Sequence, residues 1–574
     1  MRKLQSTPKG YTSDSDKLCT PAQTVARVKA LFEGHGGILA ELRRTDTGRL
    51  GIPVYLSICG AQARGVMPTR KQMGKGASPA QAEASALMEL AERFSYFSFW
   101  ADEDNFVSAT WSQAQALWPG KVIPIAEILQ SVHDTLSEEQ AQALMDLIPW
   151  RFYPATRVLD GEEVMVPLDW FKKLNEFNGS SAGNCLEESI LQGACELVER
   201  HVSAVVDREE PKLPTIRTHG FSDPVLRELV EAFERNGIRI WLKDFSLDMP
   251  APTVGALAYD PSTLGIKSEI VFTAGTASSP LKAAVRAVTE IAQLAGDFET
   301  GSNYEASGLR KFTQLGETSW VAEGPQTDLE RLPSLERADM LHEIEALASG
   351  LKQKGYTLYT VETTQPQLGI STNYNFVPGF LFRERTPRAS LGMFVGRMLA
   401  EEAPEELAGP GLGILAEICA GEPYLPFFQG LYALRMGEIE EAMALFEKAE
   451  PLQADPEEEA MTVFYRAYGL SRLDQWDQVE ALLGKAIDMS PEVKEYYNLR
   501  GVARFKAGRY ADAAADFEAA LALDSGSAMD LANLGLCHKF LGHADAAADF
   551  LGKALEMDPG LDFAREHLAQ IRPE

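Results

Sequence analysis

Cysteine is scarce in this chain, and long apolar runs and a basic charge balance are missing. Six cysteines occur in 574 residues, at Cys19, Cys59, Cys185, Cys195, Cys419 and Cys537. None forms a CxxC pair or another zinc spacing, and Cys185 and Cys195 lie within one helical stretch. The pattern argues against a disulfide framework and a metal clip, and for reduced, mostly buried thiols. No run of eighteen apolar residues occurs, and MRKLQSTPKGYTSDSDK at the N-terminus has no apolar signal core. A membrane-spanning helix and a secretion signal are thereby excluded, and a soluble, cytoplasmic protein is expected. Lys and Arg number 54 against 83 Asp and Glu, a net charge of -29. Neither direct nucleic-acid binding nor membrane contact is expected, because a broad phosphate-binding face needs a basic patch. A local basic pocket stays open.

The common catalytic signatures are missing too. MGKGAS at Met73–Ser78 only suggests a Walker A loop, since Gly76 stands where Ser or Thr is needed. There is no GxGxxG after a strand and no GxSxG, and no Ser/His/Asp set stands out among eight histidines. Composition is ordinary globular, 45% hydrophobic and 24% charged, and the length predicts two to four domains.

Character changes near residue 390. Before it, strand-like runs (Gly51–Gly60, Ile148–Leu159, Gly237–Phe245, Thr253–Tyr259, Glu269–Ala274, Gly355–Glu362) mix with helical ones. The helical runs are Pro79–Phe99, Cys185–Val206, Asp223–Asn236, Pro280–Asp297 and Ser334–Lys354. This predicts an α/β (α+β) domain over 1–395. A linker is expected over 396–425, with GPGLG at Gly409–Gly413. From 426 to 574 an all-α repeat follows with a period of 34, as in Gly501/Gly535, Gly508/Gly542 and Ala520/Ala554. It resembles the tetratricopeptide family. Small residues let paired helices approach, and Phe446, Leu483, Phe517 and Leu551 fill the space between them. Four copies suffice for a shared core. Such an array docks a protein or peptide on its concave surface, or serves dimerisation.

Three helical stretches carry the chemistry. The first holds Ser85, Glu89, Glu92 and Arg93. The second holds Asn184, Glu188, Gln192, Glu196, Glu199 and Arg200. The third holds Arg286, Glu290 and Gln293. In each, residues three or four apart share a helix face. Any one stripe alone reads as a solvated face. Two follow small-residue turns, Asn178–Asn184 and Ala274–Ser279, which can offer backbone N–H groups to an anion. Carboxylates that hold hard cations beside arginines that meet phosphate oxygens suit a nucleoside triphosphate with magnesium.

These residues resemble the YcaO superfamily over about Pro8 to Arg388. SALMELAER at Ser85–Arg93 looks like its Sx3Ex2ER motif. NGSSAGNCLEESILQGACELVER at Asn178–Arg200 looks like its Asn-Gly, Ala-Gly-Asn and Glu-x-x-Glu-Arg block. RAVTEIAQ at Arg286–Gln293 looks like its Rx3Ex2Q motif. The resemblance implies ATP and Mg²⁺ as cofactors and activation of a backbone amide by phosphorylation. A neighbouring Cys, Ser or Thr then gives an azoline, and external sulfide gives a thioamide. By position, Glu89, Glu92, Glu196 and Glu199 hold Mg²⁺. Lys9, Ser85, Asn184, Glu188, Arg200, Arg286, Glu290 and Gln293 surround the nucleotide. Glu199, Arg200 and Arg286 carry the catalytic charge. A homodimer, a peptide or protein substrate, and a protein partner on the repeats are implied as well.

Departures from the family pattern are visible. The proline-rich tail of azoline-forming members is replaced by AQIRPE, and no leader-peptide-binding domain is evident ahead of the first motif. His201 stands where an Asp follows the Glu-Arg pair, as a structural neighbour or a proton carrier. Repeats after such a domain resemble members linked to β-methylthiolation of a small-subunit ribosomal protein, accessory to a methylthiotransferase. A non-catalytic ATP-binding scaffold is the alternative. Substrate choice is expected from Thr363–Arg388, with Asn373, Tyr374, Asn375, Arg383 and Arg385, or these residues are ordinary strand and loop surface.

Overall fold

A computed structural model describes residues 3–295, 298–299, 301, 308–383 and 389–571. Its contacts divide the chain into two compact units. One comprises Met1–Gln142 and Pro149–Ala389, the other Ala143–Ile148 and Ser390–Glu574.

The first unit contains three sheets among the described residues. The first is an antiparallel meander of Leu39–Arg44, Val54–Cys59 and Lys71–Lys75. In the second, Val271–Thr276 is the end strand, next to Thr253–Tyr259 and then Arg239–Asp244. In the third, Ser180–Gly183 is the end strand, next to Ser371–Phe376 and then Tyr359–Glu362. Each of these end strands leads into a long helix: Lys71–Lys75 into Pro79–Ala101, Ser180–Gly183 into Leu186–Glu209, and Val271–Thr276 into Pro280–Ala295. The first helix starts cleanly because Ser78 caps it through the Gln81 N–H and Pro79 fits its first turn. The second is capped by the Cys185 sulfur on the Glu188 N–H. It runs through the core, with Ile190, Leu197, Val198 and Val202 at 0% exposure.

The three strand–helix units share one register. Gly74, Ser181 and Gly275 are the reference points, and Ala82, Ser189 and Ala283 follow each eight residues later. Ala86, Gly193 and Ala287 follow at twelve. A Cβ on Gly74 would lie 2.0 Å from Ala86 N and 2.4 Å from Ala82 O. One on Gly275 would lie 2.4 Å from Ala287 N and 2.5 Å from Ala283 O. In the second unit the glycine is on the helix: a Cβ on Gly193 would lie 2.6 Å from Ser181 Oγ. In every unit the helix backbone lies directly on its strand, which a side chain at that point forbids.

Several sequence expectations need correction. The stretch expected as a linker, 396–425, is largely helical, with Leu391–Glu401 and Glu405–Ile418 occupying much of it. Gly396 packs against Phe428 and Leu415, and Gly411 against Leu399, so these glycines are close-contact points and not breakers. Asn178–Asn184 is not a loop around a helix end, because Ser180–Gly183 pairs with Ser371–Tyr374. Asn373, Tyr374 and Asn375 are 0% exposed on a strand, out of reach of a substrate.

In the second unit, hairpins of Leu425–Met436 with Ile439–Ala449, Pro456–Arg472 with Trp476–Met489, Lys494–Lys506 with Tyr510–Leu523 and Ala528–Phe540 with Ala544–Met557 are followed by Asp562–Ile571. Phe446, Leu483, Phe517 and Leu551 are buried as expected. Gly430, Gly501 and Gly535 face Phe446, Phe517 and Leu551 across their hairpins.

Candidate active site

The common register brings equivalent positions of the three units to one cavity of about 320 Å³. Eleven residues after each reference point stand Ser85, Gln192 and Arg286. At fifteen stand Glu89, Glu196 and Glu290, and at eighteen Glu92, Glu199 and Gln293. All nine line the cavity. Steps of three and four keep them on one face of each helix. Its volume lies within the range of small-molecule clefts, about 300–1,000 Å³.

One part of the wall is a hydrogen-bonded network. Glu188 accepts from Asn184 Nδ2 at 3.0 Å and from the Leu18 N–H at 2.9 Å, and Lys17 Nζ lies 3.7 Å from it. Asn184 Oδ1 accepts from Thr24 Oγ1 at 3.0 Å. Lys282 donates to the carbonyls of Thr12 and Ser13, which ties the segment before Asp14–Cys19 to the third helix.

The other part is densely charged. Glu89, Glu92, Glu196, Glu199 and Glu290 gather with Lys75, Arg93, Arg200 and Arg286. Arg93 Nη1 lies 3.4 Å from Glu92 and donates to Ser180 Oγ, which in turn donates to Glu92 at 2.6 Å. Glu199 accepts from the Thr276 N–H at 2.8 Å. Arg286 donates to Gln192 at 3.2 Å, and Lys75 Nζ contacts Glu290. Burial, with Glu196 and Glu89 nearby, pushes Glu92 up to about 8 against the pull of Arg93. Burial raises Glu89 and Glu196 as well. Burial and the Arg286 guanidinium pull the Lys75 ammonium down to about 7.

These charges pair only in part, with Arg93 on Glu92, Arg200 on Glu196 and Lys75 on Glu290. Glu89, Glu92 and Glu196 are held toward neutrality, and Nε of Arg200 and of Arg286 is buried with no hydrogen-bond partner among the described residues. A divalent cation would favour the ionised carboxylates, and a polyphosphate would take the free guanidinium donors. The residues therefore fit a magnesium–nucleotide pair.

A pH dependence follows. A carboxyl raised in the folded state adds stability below its unfolded pKa and loses it as pH rises through the folded value. Lys75, lowered, acts oppositely and only above about 7. With EDTA and no nucleotide, the unfolding midpoint is expected to fall on the order of 5 °C between pH 5 and 7. The fall should be smaller in Glu92→Gln, and identical slopes would contradict it.

Of the expected site residues, Ser85, Glu89, Glu92, Asn184, Glu188, Glu196, Glu199, Arg200, Arg286, Glu290 and Gln293 share this cavity. Lys9 does not line it. Its ammonium is consumed by Asp16 at 2.8 Å and Glu343 at 2.6 Å, at 4% exposure. Lys17, eight residues later, is the lysine that the N-terminal stretch delivers to the wall. His201 is structural: Nδ1 accepts from the Leu381 N–H at 3.0 Å, and the ring stacks on Phe380. Arg383 lies beside Asp207 and not on the cavity wall, and Arg385 is outside the described residues. Sequence reasoning missed Lys75, Lys17 and Lys282 as wall residues, and Gln192, named in the second stripe without a role, lines the wall as well. Cys19 and Cys195 line the cavity too, and burial pushes the Cys195 thiol up to about 12, which keeps it protonated.

Known proteins resemble this chain in sequence and in fold. The family model for YcaO cyclodehydratase, ATP- and Mg²⁺-binding, matches residues 73–381, and tetratricopeptide repeat models match 494–527 and 531–561. An uncharacterized protein of Methanothermobacter thermautotrophicus is 27% identical over 358 residues, 58% of this chain and 87% of that one. The ribosomal protein S12 methylthiotransferase accessory factor YcaO of Escherichia coli is 30% identical over 207 residues, 33% of this chain and only 35% of that protein. A heterocyclase solved in complex with substrate and cofactor is similar in fold, with TM-score 0.52 and 20% identity, covering 66% of this chain and 54% of that one. No helix among the described residues is long and apolar enough to cross a membrane. With more than half of its length matched by the family model, the chain belongs to the YcaO family, whose domain binds ATP and Mg²⁺ and is followed here by tetratricopeptide repeats.

Proposed function

We propose that the chain is an ATP-dependent enzyme that activates a backbone amide of a peptide or protein, giving a thioamide- or azoline-type product. One observation carries the reading: a cavity in which Glu89, Glu92 and Glu196 are pushed toward neutrality while two buried guanidinium nitrogens lack acceptors. Bound magnesium–ATP supplies the phosphoryl group that turns an amide oxygen into a leaving group. The residues of this chain then have separable tasks. Glu89, Glu92, Glu196 and Glu199 hold the cation. Arg200 and Arg286 take up charge that develops on the transferring group, fixed before the reaction by their neighbours. Asn184, Glu188, Ser85, Glu290 and Gln293 orient the rest of the nucleotide. Positioning and charge stabilisation suffice for phosphoryl transfer without a protein nucleophile. The repeats recruit the substrate or a partner protein.

The accessory-factor name of the Escherichia coli relative favours a second reading, in which this chain binds ATP and docks a methylthiotransferase or another modifying enzyme through its repeats. Phosphate release from ATP by the full chain, with Mg²⁺ and with EDTA, separates the two. Mg²⁺-dependent release supports the enzyme. Tight nucleotide binding with no release above background supports the scaffold.

A further inference from the structure

MGKGAS is not a Walker A loop, yet its lysine reaches the cavity. Lys75 ends the strand Lys71–Lys75, one step after Gly74. The same step in the other units is Ala182 and Thr276, and all three positions line the cavity. The strand register aims Lys75 inward. Gly74 and Gly76 lock it there, because a Cβ on either would collide with the first helix: 2.0 Å from Ala86 N for Gly74, and 2.5 Å from Gln81 Cγ for Gly76.

Lys75 Nζ contacts Glu290. Its charged surroundings are Arg286, Glu199, Glu89 and Arg200, drawn from all three units. That is the carboxylate end of the cavity. The network of Lys17, Asn184 and Glu188 is bonded instead to the N-terminal segment and shares no ion pair with these charges among the described residues. A polyphosphate whose cation sits on the clustered carboxylates puts its terminal oxygens at this end, within the lysine's field. The Lys75 ammonium meets one carboxylate, Glu290, and its flexible stem lets it change partner, whereas the arginines nearby are planar forks.

We infer that Lys75 is a binding residue for the terminal phosphate of the nucleoside triphosphate, exchanging Glu290 for that phosphate when the nucleotide enters. The assignment rests on the nucleotide reading above.

Binding of Mg-ATP and Mg-ADP to the full chain tests it by titration calorimetry. Losing one charge-assisted hydrogen bond corresponds to a factor on the order of 10 to 100 in affinity. Lys75→Met is expected to weaken Mg-ATP by that factor and Mg-ADP by less than about threefold, on the same ground. Lys75→Arg should regain most of the ATP affinity. Retained ADP binding also shows that the variant folds. Should Lys75→Met fold poorly, Lys75→Gln, which still hydrogen-bonds Glu290, should show the same selective loss. Equal weakening of both nucleotides, or of neither, overturns the assignment alone. A wild-type chain that binds neither nucleotide overturns the nucleotide reading and this assignment together.

Discussion

Glu199→Gln is expected to lower Mg²⁺-dependent phosphate release by about 100- to 1,000-fold, the loss typical of removing one preorganised charged group from a water-poor site. Its carboxylate accepts the Thr276 N–H at 2.8 Å, and an amide oxygen keeps that bond. The substitution therefore removes charge and little else. It also relieves repulsion among crowded carboxylates, since Glu199 is one of the groups that raise Glu196. Thermal stability of the EDTA-treated variant should be unchanged or slightly higher while activity falls. Destabilisation cannot produce that combination. Arg286→Ala is expected to fall as far in rate, but it breaks the bond to Gln192 and should cost stability too. Rates of Glu199→Gln within about twofold of wild type would remove this carboxylate from the chemistry.

The second large effect is on folding. Gly74→Ala is expected to destabilise the chain by about 3 kcal/mol or more, because the added methyl meets helix backbone and cannot turn aside. A Cβ 2.0 Å from Ala86 N forces the helix off the strand. That shift also displaces Ser85, Glu89 and Glu92, so Mg-ATP binding should be lost at temperatures where the rest of the chain stays folded. Gly484→Ala is the control. Its Cβ meets nothing within 4 Å inside Trp476–Met489, so alanine should be neutral or gain up to about 1 kcal/mol. Urea midpoints of the two variants, read against nucleotide affinity, check both expectations.

How far the site was legible follows from the same glycines. The three acidic stripes show through because their steps of three and four lie in helices that begin at Pro79, Leu186 and Pro280. What precedes them is harder to read. Lys71–Lys75 reads KQMGK and Ser180–Gly183 reads SSAG, short and poor in β-branched residues. Their small residues are there for strand–helix contact, yet in a sequence they look like turns. For the same reason the glycines of 396–425 suggest a linker although Gly396 and Gly411 serve helix packing. Lys9 and Lys17 cannot be told apart by residue type. Only the fold shows that Asp16 and Glu343 hold the first while the second reaches the wall. Asn373 and Asn375 look like surface chemistry but sit on a fully buried strand, a fact set by pairing with Ser180–Gly183 and Tyr359–Glu362.

The central claim is that three strand–helix units in one register form a single magnesium–nucleotide site. Titration calorimetry of the full chain with ATP at pH 7, with Mg²⁺ and with EDTA, in two buffers of different ionisation enthalpy, tests it most directly. Cation binding must displace the proton that Glu92 holds below about 8. The prediction is binding that weakens at least about tenfold in EDTA and, with Mg²⁺, releases protons to the buffer, a release diminished in Glu92→Gln. Binding of equal strength in EDTA, or no binding at all, would contradict it.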